Sequence, residues 1–251
     1  MKGALDLNKM KESIVIIPTY NEIENIEKMV ETVMSFPEFF HLLIIDDGSP
    51  DGTAAKVKEM QSLFSERLFI LERSGKLGLG TAYLKGFDWG LHQGYKYLYE
   101  MDCDFSHNPE DLHRLRQELL AGADVVVGSR YVSGGDVKNW DMKRILLSKG
   151  ASLYTRIITW LPVNDTTAGF VGYKRSFLEK LDFSKIVFKG YAFQIQMKFA
   201  AYQMGFKIIE IPITFKDREL GTSKISSNII KEAIFGVLKL RWDSFFMNYS
   251  K

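Results

Sequence analysis

The sequence predicts an α/β protein with a mostly parallel, Rossmann-like sheet flanked by helices. Three observations predict it. Runs dense in Val and Ile recur between residues 13 and 131, too uniformly apolar for strands with one wet face. Segments of helical period separate them, the rhythm of βαβ units that places helices on both faces of a sheet. Polar residues, acids above all, gather where the apolar runs stop, which is where parallel sheets bind ligands.

"SIVIIPTY" (13–20) reads as a buried strand stopped by Pro18. "NIEKMVETVMSF" (25–36) carries Ile26, Met29, Val30 and Val33 at helical spacing. "HLLIIDDGS" (41–49) is a second strand ending in acids, and "TAAKVKEMQSLF" (53–64) a helix with Thr53 as its N-cap. "RLFILER" (67–73) is a third strand, from which the Gly-rich "SGKLGLG" (74–80) leads into a helix over 81–93. "YKYLYEMD" (95–102) is a fourth strand. "PEDLHRLRQELLA" (109–121) opens with Pro in its first turn and acids beside it, as helix starts prefer. "ADVVVGSRY" (123–131) is a fifth strand. The rhythm then loosens into a polar loop, "VSGGDVKNWDMKR" (132–144), and a helix over 145–161. A less regular "TTAGFVGYKRSFLEKL", a helix near 192–204, a strand "KIIEIPITF" (207–215) and an amphipathic helix over 225–242 complete the chain.

A chain of 251 residues suits one α/β domain with a sizeable core. Its 46% hydrophobic and 25% charged content is ordinary for a globular protein. A net charge of +2 gives no wholesale attraction to nucleic acid, so no nucleic-acid partner is expected. Cys103 is the single cysteine, which excludes an intrachain disulfide and a multi-cysteine zinc site and suits a reducing compartment. The opening "MKGALDLNKMKES" holds no apolar run of signal-peptide length. No stretch reaches the roughly 18–20 apolar residues of a bilayer-spanning helix, so the chain is not expected to cross a membrane by itself.

Asp102 and Asp104 follow the fourth strand, separated only by Cys103. Residues i and i+2 of an extended segment face the same side, so both carboxylates would face one point. Without a counter-charge one of them would be driven to hold a proton. A hard divalent cation, Mg²⁺ or Mn²⁺, removes the conflict, taking one or two carboxylates and completing its shell with phosphate oxygens and water. The competing reading is an exposed acidic turn. Cys103, on the opposite side, reads as a small core residue.

"DDGSPDGT" (46–53) has the residues of a plain turn. It also carries a trace of a calcium loop in Asp47, Ser49 and Asp51, but Lys58 stands where such a loop needs a bidentate Glu. The stronger use of Asp46 or Asp47 is to accept from a base N–H or a ribose hydroxyl. "GKLGLG" matches neither a P-loop nor a G-x-G-x-x-G fingerprint, and reads as backbone that passes close to a ligand or to the sheet. Arg130 ends the fifth strand, Lys143 and Arg144 lie in the polar loop with Ser148 a helical turn beyond, and Arg218 and Lys224 follow the last strand. Each is either a solvated charge or a ligand for phosphate oxygens, which suit the Arg fork. His107 lies near the acids with no nucleophile constellation around it.

The ordered set "IIPTYNE", "IIDDGSPDGT", "LGLGTAYLKGF", "YEMDCDFSHNPEDL", "VVVGSRYVSGG", "NWDMKR", "TAGFVGYKR" and "FKDRELGTSKIS" resembles the family 2 glycosyltransferases of GT-A fold over about residues 13–242. The loop "YVSGGDVKNWDMKRILLSKGAS" and "DRELGTSK" resemble the polyprenyl-phosphate (dolichol-phosphate) mannosyltransferase branch in particular. The resemblance implies an inverting transfer of mannose from GDP-mannose to polyprenyl phosphate, with Mg²⁺ or Mn²⁺ as cofactor. Pro18, Tyr20, Glu22, Asp46 and Asp47 would hold the nucleotide, with Cys103 and Lys224 in the same donor set. Asp102 and Asp104 would face metal and diphosphate, and Ser106 stands where some relatives have a metal-contacting Gln. Arg218 and Lys224 would close over the donor phosphates, while Arg130, Arg144 and Ser148 receive the lipid phosphate. The catalytic set is then Asp102, Asp104, Arg130 and Arg218.

On this reading residues 1–12 are an N-terminal extension, 13–224 the GT-A domain and 225–251 an amphipathic C-terminal helix. The protein would work peripherally on the cytoplasmic face of a membrane. Ile230, Ile234, Val237, Leu238 and Phe245 can share one helix face, with Lys231, Lys239 and Arg241 available for anionic headgroups; a helix packed on the core is the alternative. Leu146, Leu147, Leu153, Ile157, Ile158 and Trp160 offer a second lipid-facing helix, and a membrane-protein partner is a third route to the lipid. A phosphate monoester, with a second pKa of about 6, attacks without losing a proton. A sugar-hydroxyl acceptor would need a base, for which Asp165 is the candidate. The rival readings are another donor such as UDP-glucose, a hydroxyl acceptor, and a non-catalytic subunit that binds sugar nucleotides.

Overall fold

A computed structural model describes residues 11–37, 39–217 and 227–251. Arg218 and Lys224 lie outside the described residues, as do the side chains of Ile230, Lys231 and Ile234. The strands are β1 (Ser13–Thr19), β2 (Phe40–Asp46), β3 (Leu68–Glu72), β4 (Tyr97–Glu100), β5 (Val125–Ser129), β6 (Asp136–Lys138), β7 (Val171–Lys174), β8 (Ile208–Pro212) and β9 (Thr214–Lys216). The helices are α1 (Ile23–Ser35), α2 (Thr53–Gln61), α3 (Leu79–His92), α4 (Asp111–Leu120), α5 (Met142–Thr159), α6 (Arg175–Lys180), α7 (Tyr191–Gln203) and α8 (Ser227–Asp243).

Seven strands form one sheet in the order β3-β2-β1-β4-β7-β5-β8. Alternation along β1 builds the two cores. Ile14 and Ile16 pack with Tyr83 and Phe87 of α3 and Phe193 of α7 on one face. Val15 and Ile17 pack with Met29 and Val33 of α1 and Leu115 of α4 on the other. Gly86 lets α3 lie directly on β1, because a Cβ there would stand 2.6 Å from Ile16 Cγ2. The Gly-rich stretch ahead of it approaches another part of the chain instead: Gly80 N donates to the Lys189 carbonyl at 2.8 Å.

Several expectations are corrected. Pro18 does not stop β1; it pairs with Ile45 of β2. Pairing with β4 ends at Ile16, so Pro18 has a strand on one side only and its missing N–H breaks no ladder to β4. The irregular stretch before residue 182 contains β7, which runs antiparallel between β4 and β5. Gly172 interrupts its apolar pattern because a Cβ there would sit 3.0 Å from the Tyr99 ring. The polar loop 132–144 contains β6, paired in parallel with β9. The single strand expected over 207–215 is therefore two, broken where Ile213 turns into the core.

Candidate active site

β2, β1 and β4 are neighbours in the sheet, so their carboxyl ends bring "PTYNE", "DDGSPDGT" and "MDCD" to one edge. Asp46 accepts from Thr19 Oγ1 at 3.0 Å, from Ser49 N at 2.8 Å and from Ser49 Oγ at 2.6 Å. Asp47 accepts the fork of Arg73, Nε at 2.6 Å and Nη2 at 2.7 Å. Both carboxylates are thus braced by protein donors, Asp47 by an arginine the sequence reading missed. The signal was available: Arg73 ends "RLFILER" as Arg130 ends the fifth strand. Lys76 Nζ lies 3.7 Å from the centre of the Tyr20 ring.

The turn between β2 and α2 also holds the chain entering α1. Ile23 N donates to Asp51 Oδ2 at 3.1 Å, Glu22 N to Thr53 Oγ1 at 3.0 Å and Asn21 N to Ser49 Oγ at 3.0 Å. Of these, the Ile23 N–H is in the first turn of α1, which leaves it without a helical partner, and the other two tie down the residues that lead into the helix. Gly52, at φ 94°, is the N-cap of α2 in place of Thr53, whose hydroxyl is engaged with Asp51. Cys103 is buried in the core, where burial pushes its thiol well above the ordinary range, and its side chain lines neither large cavity.

A cavity of about 530 Å³ is lined by Asp102, Asp104, Ser106, Arg130, Arg144 and Ser148, so the structure brings these predicted residues together. Pro18, Tyr20, Glu22, Asp46 and Asp47 do not line it. The acids do not sit on an extended segment: β4 ends at Glu100, and Phe105 takes φ 57°. Ser106 N donates to Asp104 Oδ1 at 3.1 Å, which closes a tight turn around the second acid. The two carboxyl groups are consequently unlike. Asp104 is buried, whereas Asp102 is half-buried.

His107 Nδ1 lies 3.8 Å from Asp102 Oδ2 and accepts from Asp102 N at 3.5 Å. Burial pushes its imidazole down to about 4, against the pull of Asp104, so the ring is neutral and the contact with Asp102 is no ion pair. Ser106 Oγ is buried with no hydrogen-bond partner among the described residues. Among these residues no three His, Cys, Asp or Glu side chains gather into a metal cage. Two carboxylates and an unpartnered hydroxyl nevertheless fit Mg²⁺ or Mn²⁺, whose shell is completed largely by phosphate and water.

The cationic wall begins with α5. Asp141 caps this helix, accepting from Arg144 N at 2.7 Å, so the helix starts ahead of the expected residue 145 and sets Arg144 in its first turn. Arg144 Nη1 donates to Asp217 Oδ2 at 2.8 Å, and its guanidinium lies 4.0 Å from the Trp140 ring. Arg144 Nε and Trp140 Nε1 are buried without partners among the described residues. Tyr131 Oη donates to Ser148 Oγ at 2.6 Å. The β6–β9 ribbon delivers Trp140 and Asp217 to the site, a pairing invisible in the sequence.

Arg130 is held by Asp165, Nε to Oδ2 at 2.6 Å and Nη2 to Oδ1 at 2.6 Å, with Thr167 Oγ1 at 2.9 Å from Nη2. The Asp165 side chain is fully buried. Burial pushes its carboxyl upward, and the Arg130 guanidinium overrides that and holds it below the ordinary value. Asp165 does not line the cavity.

Leu146 and Leu147 line the cavity and are also exposed on α5, Leu146 at 64%. On α8, Val237 and Leu240 are buried against the core, which takes Val237 out of the expected outward stripe. Leu238, Trp242, Phe245 and Phe246 remain exposed, Phe246 at 81%. The Arg241 guanidinium lies 4.3 Å from the exposed Trp160 ring that ends α5, so the two helices meet there. Among the described residues no helix is long and apolar enough to cross a membrane.

The polyprenol monophosphomannose synthase of Mycolicibacterium smegmatis is 49% identical over 227 residues, covering 90% of this chain and 86% of that protein. The undecaprenyl-phosphate mannosyltransferase of Micrococcus luteus is 43% identical over 234 residues, covering 92% and 96%. A glucosyl-3-phosphoglycerate synthase from Mycobacterium tuberculosis, solved with Mn²⁺, UDP and phosphoglyceric acid, superposes with a TM-score of 0.67 at 16% identity. That match covers 92% of this chain and 78% of that one, and it speaks for the GT-A-like fold alone. Residues 14–182 match the glycosyl transferase family 2 domain, a span that includes the acid pair, Arg130 and Arg144, and the chain belongs to that family.

Proposed function

We propose that the protein transfers mannose from GDP-mannose to a polyprenyl phosphate, inverting the sugar carbon and releasing GDP. One observation carries this: a single cavity holds the acid pair, the cation Arg144 and the exposed leucines of α5. It offers groups for a diphosphate, for a second phosphate and for a hydrocarbon chain. The names of the two curated relatives support mannose and a polyprenyl phosphate as substrates.

Asp102, Asp104 and Ser106 would hold Mg²⁺ or Mn²⁺, which when bound supplies counter-charge for the departing diphosphate. The Mn²⁺ in the solved glucosyl-3-phosphoglycerate synthase supports a divalent ion. Pro18, Tyr20, Glu22, Asp46 and the braced Asp47 would receive base and ribose. Arg218 and Lys224 keep their proposed place at the donor phosphates on sequence grounds. Arg144 Nε, the Trp140 indole N–H and Ser148 would orient the lipid phosphate. Arg130, its fork held by Asp165, contributes a fixed positive charge rather than a clamp. Holding the nucleophile in line is the main task, since a phosphate monoester is already ionised near neutral pH.

Asp165 is buried, ion-paired and absent from the cavity lining, which makes it a poor general base and favours the phosphate acceptor over a sugar hydroxyl. The exposed apolar surface of α5 and α8 would rest on the cytoplasmic face of a membrane beside the cavity mouth. Incubation with detergent-solubilised polyprenyl phosphate, Mg²⁺ or Mn²⁺ and a panel of labelled sugar nucleotides tests the proposal. Label should enter the lipid from GDP-mannose. Labelling from UDP-glucose instead overturns the donor, and transfer to a sugar hydroxyl but not to the lipid phosphate overturns the acceptor.

A further inference from the structure

Beneath the acid pair lies a buried polar network that the phosphate chemistry leaves unused. Glu100, at the end of β4, is fully buried. Its Oε1 accepts from Tyr173 Oη at 3.2 Å and its Oε2 from Gln194 Nε2 at 2.6 Å. Lys198, one turn further along α7 and also fully buried, donates to the carbonyls of Ala168 at 2.7 Å and Gln194 at 3.1 Å. Such a group of buried charges is costly unless its members satisfy one another, and replacement by apolar residues is often neutral or better for stability. What such a network can do besides is hold one of its members in a fixed orientation.

That hold is visible at Gln194. This side chain is 2% exposed and lines the same cavity as Asp102, Asp104 and Arg144. Its amide is oriented, because Nε2 faces Glu100, so the oxygen is the atom left over. That oxygen, Oε1, is buried and no donor among the described residues reaches it. A carbonyl oxygen repels phosphate and needs a ligand that donates. The sugar carbon must pass between the departing and the incoming phosphates, so the sugar lies in this cavity, and its hydroxyls are the donors it brings.

We infer that Gln194 reads one hydroxyl of the transferred sugar, accepting its hydrogen bond at Oε1, and that Glu100 is a positioning residue that fixes the amide the right way round. The inference rests on the proposed transferase reaction and adds a specificity determinant to it. A site that hydrogen-bonds a substrate hydroxyl discriminates against the analogue lacking it, because its own buried group is then unpaired.

The test compares kcat/KM for GDP-mannose and for its monodeoxy analogues, each lacking one sugar hydroxyl, in the wild type, Gln194→Met and Glu100→Gln. Ratios between donors do not depend on how much of a preparation is folded, so a destabilised variant still reports. The wild type should disfavour one analogue, and Gln194→Met should relax that one ratio by about tenfold while leaving the others in place. Glu100→Gln should relax the same ratio, an effect that loss of packing alone would not produce. Equal losses on every donor, or unchanged ratios, overturn the role of Gln194 while transfer by the wild type still stands. A wild type that moves no sugar from any donor overturns the transferase reading and this inference with it.

Discussion

Asp104 is buried in a turn that its own carboxylate closes, whereas Asp102 is half-buried beside a neutral His107. Replacing Asp104 by Asn should therefore remove transfer with little change in fold, by the hundredfold or more that loss of one well-placed electrostatic group costs, about 3–4 kcal/mol. Initial rates with labelled donor measure it. Asp165→Asn should act on stability, since it leaves the buried Arg130 guanidinium without its counter-ion, a loss of about 3–5 kcal/mol in denaturant unfolding. Its pH signature has a definite sign. The carboxyl is held below its ordinary 3.8, so its stabilisation is complete above that value and is lost as the pH falls through the lower folded value. The variant should show a shallower acid decline. At this scale the sequence yielded the acids, Arg130, Arg144 and Ser148, because each stands at a strand end or one helical turn from a phosphate-binding candidate. It did not yield Arg73, Trp140 or Gln194. Their meaning comes from contacts with Asp47, Arg144 and Glu100, the last pair 94 positions apart, which no local pattern encodes.

Helix α3 is seated on β1 through a glycine, so Gly86→Ala should force the helix or Ile16 aside and cost about 1–3 kcal/mol, read as a lowered unfolding midpoint. The exposed rings of Trp242, on α8, and Phe246, just beyond it, are the ones proposed to meet lipid. Trp242→Ser with Phe246→Ser should weaken flotation with anionic vesicles while transfer to acceptor in detergent persists. Equal flotation would assign those rings to some other surface. The parallel strands were readable because burial on both faces makes them uninterrupted apolar runs. β7 was not, because Gly172 yields its Cβ space to Tyr99, and β6 was not, because its polar residues pair with a strand far along the chain.

The two cores on either side of the sheet are built from apolar side chains, and neither Asp102 nor Asp104 is among them. Chelation with EDTA should therefore stop transfer and leave the thermal unfolding midpoint nearly unchanged; a large drop would mean that the ion is structural. The fold class was legible because the βαβ rhythm and the acid-tipped strands repeat in order. The carboxyl-end rule then brought three distant motifs to one edge.

The sealing of Asp165 beneath Arg130 has a kinetic counterpart. If bond exchange proceeds without a hydrogen in flight, deuterium oxide should not slow it. Turnover in heavy water should match that in light water, and the rate should run level once the acceptor is doubly ionised, above about pH 6.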